Sequence, residues 1–166
     1  MQPNELIKYY ELQPHPEGGY FKQTYISEGM ITAEALPIVF NGERHFSTAI
    51  YFLVLKNNFS AFHRLLADEL WHFYTGGCLY IHIIHPGGGY ELKKLGNNIQ
   101  QHENFQVLVP AGCWFAAECA NGSEFCLAGC TMSPGFNFAD FELAKAAELA
   151  AQYPQHAELA QRLCRQ

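Results

Sequence analysis

His63 and Glu69 are the residues whose types and spacing point most directly to chemistry. Side chains alternate across an extended strand, so His63 and Leu65 share one face, as do Glu69, Trp71 and Phe73. An imidazole held by a carboxylate can take or give a proton near neutral pH, and the couple can also orient a polar ligand. Tyr51 and Trp71 would add the apolar area of a ligand pocket, with Tyr51 or Tyr20 as a phenolic acid opposite the imidazole. Arg44 stands at a strand start, where it serves equally as a solvated rim residue or as an anion contact. A charged group inside a fold is paired or functional. The bland alternative is therefore a core histidine hydrogen-bonded to Glu69 and to nothing else.

Those residues fall in a stretch that reads as strands. Turn residues interrupt it at Lys56-Asn57-Asn58, Gly76-Gly77, Pro86-Gly87-Gly88-Gly89, Gly96-Asn97-Asn98, Pro110-Ala111-Gly112 and Asn121-Gly122. The segments between them predict strands at 20–26, 45–55, 59–66, 69–75, 79–85, 90–95, 105–109, 114–119 and 124–132. Short strands at roughly ten-residue spacing argue for a sandwich or barrel rather than βαβ units. A short helix is expected over 3–11, with Leu6, Ile7 and Tyr10 on one face. Near the other end, Asp140 is predicted to cap a helix running through Leu143, Ala146, Ala147 and Ala150. Pro154 then restarts a second helix through Leu159 and Leu163. The reading is one domain over 1–166, with a barrel core at about 18–138 and C-terminal helices at about 140–165. In it Glu17-Gly18-Gly19-Tyr20 is a structural turn, and Phe136, Phe138 and Phe141 dock the first C-terminal helix.

Composition closes off several function classes. The 166 residues are 49% hydrophobic and 16% charged, which describes a packed domain rather than a disordered chain. A net charge of −6 with no basic cluster argues against a nucleic-acid partner. No apolar stretch approaches the length of a membrane span, and charges near the N-terminus argue against an export signal. A cytoplasmic location without membrane contact is the expectation. The six cysteines form no C-x-x-C pair, so they read as buried thiols rather than zinc ligands.

Two spaced motifs then suggest a family. The first reads Asn57, five residues, His63, Arg64, Leu65, three residues, Glu69, six residues, Gly76. The second reads Pro110-Ala111-Gly112-Cys113-Trp114-Phe115, with Cys119 after it. Both resemble the paired motifs of the cupin superfamily, and the whole chain is similar to its uncharacterised branch sometimes called cupin five. That likeness rests on Glu17-Gly18-Gly19-Tyr20, Arg44, the Ser47–Tyr51 run, Phe62-His63-Arg64, Asp68-Glu69-Leu70-Trp71-His72, Val109–Trp114 and Pro134–Phe141. It implies an all-β, double-stranded β-helix (jelly-roll) barrel, with the His63 and Glu69 face turned inward and two copies forming a homodimer. Phe46, Phe52 and Phe62, taken as outward-facing, agree with pairing. A metal cupin presents three histidines and a glutamate at its centre. Here Leu65 and Phe115 stand where the second and third histidines would be, leaving His63 and Glu69 as the sole candidate ligands. No metal and no other cofactor is therefore expected.

The primary reading is a binding protein that holds a small polar molecule, such as a sugar or nucleotide derivative, inside the barrel. His63, Glu69, Tyr51, Trp71, Phe115 and Arg44 are its candidate contacts. The alternative is a metal-independent epimerase- or isomerase-like enzyme with His63 as base, Glu69 orienting it and Tyr51 as acid. A metal-dependent oxygenase or isomerase is third. Whether the protein is an enzyme stays open at this point, because fold does not decide function.

Overall fold

Strand-forming segments rich in apolar and aromatic residues close two antiparallel sheets over a shared core. The computed structural model describes residues 2–165. In chain order the elements are α1 (Pro3–Tyr10), β1 (Gln13–Pro14), β2 (Tyr20–Ile26), β3 (Met30–Ile31), β4 (Arg44–His45), β5 (Thr48–Leu55) and β6 (Phe59–Leu65). Next come β7 (Glu69–Gly76), β8 (Leu79–Ile84), β9 (Tyr90–Leu95), β10 (Gln106–Val109), β11 (Trp114–Cys119) and β12 (Phe125–Met132). The chain ends with β13 (Phe141–Leu143), α2 (Ala146–Gln152) and α3 (Ala157–Leu163). A six-stranded sheet has the order β1-β2-β5-β12-β7-β10, and a five-stranded sheet the order β13-β6-β11-β8-β9. The small β3–β4 pair stands apart from both. The fold is mostly β, of the jelly-roll kind the motifs implied.

The space between the sheets is filled by Phe52, Val54, Trp71, Ile81, Phe115 and their neighbours. Both sheets also have a covered outer face. Helices α2 and α3 lay Leu149, Ala160 and Leu163 on Phe62, Ile84 and Trp114 of the five-stranded sheet. Helix α1 lays Leu6 on Leu53 and Leu127 of the six-stranded sheet, with Leu12, just beyond the helix, beside it. Phe52 and Phe62 are thus buried rather than outward-facing, and only Phe46 of that trio is exposed.

The C-terminal expectation needs correction. Residues 138–140 form a single 3-10 turn, and Phe141–Leu143 pairs with β6 instead of starting a helix. Asp140 is not a helix cap: its carboxylate is taken by Arg44, and α2 begins only at Ala146. The predicted strand over 45–55 also divides. Phe46 N–H donates to the Gly29 carbonyl and the Ser47 hydroxyl to the Met132 carbonyl, so the chain breaks between β4 and β5.

Candidate functional site

A cavity of about 140 Å³ opens between the sheets where β2, β5, β6, β7 and β12 converge. Its walls are mostly apolar, from Ile50, Phe52, Leu65, Met132 and the aromatic residues of the 136–141 segment. The ionisable side chains among them are His15, Glu17, His63, Glu69 and Cys130, and no Lys or Arg lines the space.

Glu17 enters the cavity from the loop before β2. Gly18 and Gly19 hold φ of 109° and 72°, a region that L side chains rarely adopt. A Cβ on Gly18 would lie 2.2 Å from the Phe59 carbonyl oxygen, so only glycine lets the loop lie against β6. The Glu17 carbonyl accepts from Ala61 N–H at 2.8 Å and from the Arg165 guanidinium at 3.2 Å. Anchored at its backbone, the side chain points inward. Its Oε1 accepts from the Ser60 hydroxyl at 2.7 Å.

Ser60 and His63 face the same side although alternation would separate them. Strand β6 carries a bulge here: Phe115 opposes His63 and Ala117 opposes Ser60, so β6 spends one more residue than β11 over that span. A bulge bends the strand and re-aims the side chains beyond it. His63 is 2% exposed, with Phe115 pressed against its ring at a centroid separation of 4.0 Å.

One hydrogen bond fixes the tautomer of His63, and burial sets the charge of the pair. His63 Nδ1 lies 2.7 Å from the Ala61 carbonyl, which can only accept, so Nδ1 carries the ring proton. Nε2 is then a bare acceptor in the neutral imidazole, and it faces Glu17 Oε2 at 3.2 Å. Burial pushes the imidazole down to about 3. Burial, and then the charge of Glu69, push the Glu17 carboxyl well above its usual range. A proton therefore sits on Glu17, beside a neutral His63. His15 closes the loop side of the cavity: its Nδ1 accepts from the Glu17 N–H at 3.3 Å, and burial lowers it to about 4.

Glu69 is the second proton-active group, on β7 of the opposite sheet. Trp71 Nε1 donates to its Oε2 at 2.6 Å. Burial raises this carboxyl to about 7 against the pull of that hydrogen bond, so it ionises in the physiological range. Cys130 is not a nucleophile, because burial and then the two nearby glutamates hold its thiol well above the ordinary value.

Three of the residues singled out from sequence meet here: His63, Glu69 and Trp71 line one cavity. Phe115 backs His63 rather than lining the space. Glu69 does not orient His63; Glu17 does. Tyr51 lies on the outer face of β5 against Tyr10 of α1, at a centroid separation of 4.7 Å, and cannot serve as the acid. Tyr20 packs in the same outer cluster. Arg44 lies away from the cavity wall in its bond to Asp140. Glu17, Ser60 and His15 were missed, and the Phe136–Phe141 segment forms the cavity mouth rather than a helix dock.

The donor set does not suit a divalent metal. One His63 nitrogen is committed to Ala61 and the other faces Glu17, while Leu65 presents carbon. Among the described residues, no group of three or more His, Cys, Asp or Glu has the geometry to hold a metal ion.

A jelly-roll barrel with an internal cavity and a histidine on its first motif strand defines a cupin. Residues 4–144 match the family described as Cupin superfamily (DUF985), and the chain belongs to it. It is similar to protein SO0799 from Shewanella oneidensis, at 40% identity and TM-score 0.89, covering 99% of each chain. It is also similar to the uncharacterized protein YML079W of Saccharomyces cerevisiae, 29% identical over 85% of this chain and 74% of the yeast one. Bacillus subtilis oxalate decarboxylase, at 15% identity and TM-score 0.54 over 90% of this chain and 36% of that one, shares the fold alone. Among the described residues no helix is long and apolar enough to cross a membrane.

Proposed function

We propose that the barrel interior is a metal-free site for one compact ligand. The observation that carries this is the enclosed apolar cavity whose convergent polar groups are Glu17, His63 and Glu69. Small-molecule sites have that composition: apolar walls for area and a few buried polar atoms for orientation. An apolar cavity of about 150 Å³ holds a molecule the size of benzene. The enclosed part of this one, about 140 Å³, suits a ligand or ligand head of that size and is too small for a whole nucleotide. Thermal-shift screening of compact molecules should give hits that vanish in Ile50→Trp, which fills the cavity from its wall. Hits that survive that substitution, or none at all, would overturn the proposal.

A second reading, proton-transfer catalysis, is favoured by one further observation: two carboxyl groups, Glu17 from the loop before β2 and Glu69 from β7, enter one cavity. Glu69 in its carboxylate form can take a proton from an activated carbon or hydroxyl of the ligand. Glu17 can return its own proton at a neighbouring atom or the opposite face and become a carboxylate; Glu69 then loses its proton to solvent and Glu17 regains one from it, which restores the site. The net change is a tautomerisation or epimerisation, with no proton gained or lost by ligand and site together. Incubation in heavy water would exchange a ligand C–H for deuterium with the native protein and not with Glu69→Gln. We also propose that two copies pair, supported by exposed apolar residues at Tyr25, Ile38, Val39 and Phe46. Sedimentation should give twice 18.8 kDa, and a monomer would refute pairing.

A further inference from the structure

We infer that the ligand of this cavity is a compact organic cation, an ammonium group on a small hydrocarbon body. The inference rests on the reading of the barrel interior as a ligand site and adds the charge of the occupant. Phe21, Phe52, Trp71, Phe138 and Phe141 wall the space, two carboxyl groups enter it, and no Lys or Arg does.

Each alternative charge meets an obstacle. An anion would have to settle beside Glu17 and Glu69 with no fixed positive partner, and an uncompensated buried charge is costly. The two imidazoles do not supply that partner. His63 faces the loop's Glu17, and His15 spends its Nδ1 on the Glu17 N–H. A neutral alcohol can be hydrogen-bonded, yet it makes no use of the paired acids. A cation resolves the arrangement, since it converts a carboxylic acid into a carboxylate with a partner and gains attraction from the surrounding rings. The protein's net charge of −6 also raises the local concentration of cations. The titratable groups facing the space come from each element around it: His15 and Glu17 from the loop before β2, His63 from β6, Glu69 from β7 and Cys130 from β12. Binding is written as an ammonium ion plus a protonated glutamate giving an ammonium–carboxylate pair and one proton released to solvent. The carboxyl O–H bond breaks, and no other bond forms or breaks.

A size-matched trio tests the charge: cyclohexylammonium, cyclohexanol and cyclohexanecarboxylate, titrated calorimetrically into the full-length protein. Cyclohexylammonium should bind at least about tenfold tighter than cyclohexanol. Its heat should vary with the ionisation enthalpy of the buffer, reporting proton release below pH 7. Glu69→Gln should weaken the ammonium about tenfold and cyclohexanol by a clearly smaller factor, with Glu17→Gln as the second variant if the first fails to fold. Tighter binding of the carboxylate, or equal binding of alcohol and ammonium, overturns the cationic ligand and leaves the cavity reading standing. Silence of all three compounds overturns both.

Discussion

Glu17 with His63 and Arg44 with Asp140 are both acid–base pairs sealed inside the fold, and they are finished differently. The Arg44 guanidinium donates from Nε and Nη2 to the Asp140 carboxylate, while Nη1 donates to the carbonyls of Asn41, Gly42 and Glu43. Its side chain and that of Asp140 are 3% and 4% exposed, and their charges are saturated. That pair clamps β4 to the turn that feeds β13. Glu17 and His63 are about as deeply buried, at 7% and 2%, but they line the cavity and are both neutral instead of oppositely charged. A pair whose hydrogen-bonding capacity is filled by the protein holds structure. A pair left facing a cavity has capacity for something else.

The sharpest way to break this contrast is at Arg44. Asp140→Asn leaves the guanidinium buried without its charge partner and should cost about 3–5 kcal/mol, measured by urea denaturation. A loss under about 1 kcal/mol would remove the structural half of the comparison.

The loop that aims Glu17 comes next. Gly18→Ala places a methyl group against the Phe59 carbonyl at a φ of 109° and should cost about 1–3 kcal/mol. It should also abolish the thermal shift given by any cavity ligand, because the carboxyl would be displaced.

The pH dependence of stability tests the protonation assigned to the cavity. Between about pH 4.5 and 6.5 the unfolded imidazoles bind protons that His15 and His63, lowered to about 4 and about 3, do not. That term makes stability rise with pH. Over the same range Glu17 and Glu69, both raised from 4.5, keep protons that the unfolded chain has released, which makes stability fall. The two nearly cancel and give a plateau. Above about 6.5 the carboxyl effect remains, so stability falls as pH rises through about 7, the Glu69 value, and the thiols raised by burial add to the fall only above about pH 8. The slope is about 1.4 kcal/mol per pH unit for each proton. Melting temperatures across pH 5–9 should show the decline in the native protein and a shallower one in Glu69→Gln. A rise above pH 7 would reverse the assignment.

The smallest expected effect discriminates most finely. In Glu17→Gln the amide oxygen can still accept from Ser60, and a neutral amide replaces a neutral acid beside His63. Stability at pH 4, where the glutamate of the unfolded chain is also largely protonated, should change by less than about 1 kcal/mol. An imidazolium–carboxylate pair would instead leave a buried cation unpartnered and cost about 3–5 kcal/mol.

Much of the fold was legible in local chemistry. Turn residues punctuate nine strand segments, and the spacing of His63, Glu69, Gly76, Pro110 and Gly112 placed them in a barrel. Alternation put His63 with Leu65 and Glu69 with Trp71 on shared faces, and the family resemblance turned those faces inward. Tyr51 could not be placed that way. Strand β5 reads Thr48-Ala49-Ile50-Tyr51-Phe52-Leu53-Val54-Leu55, apolar on both faces, because one face meets the opposite sheet and the other meets α1. Nothing within such a run says which side is in. The partner of His63 was hidden for a different reason. Glu17 precedes it by 46 positions and reaches it through a glycine loop that β6 and Arg165 hold by its backbone. Ser60 was hidden by the bulge, which overrides alternation. The sequence by itself determined the strands through turn chemistry and periodicity, and through its likeness to a family the barrel and two of its inward polar residues. Which carboxyl lies beside the imidazole, and which charged pair is merely structural, was decided only in three dimensions, where burial and distance set the state of every acid.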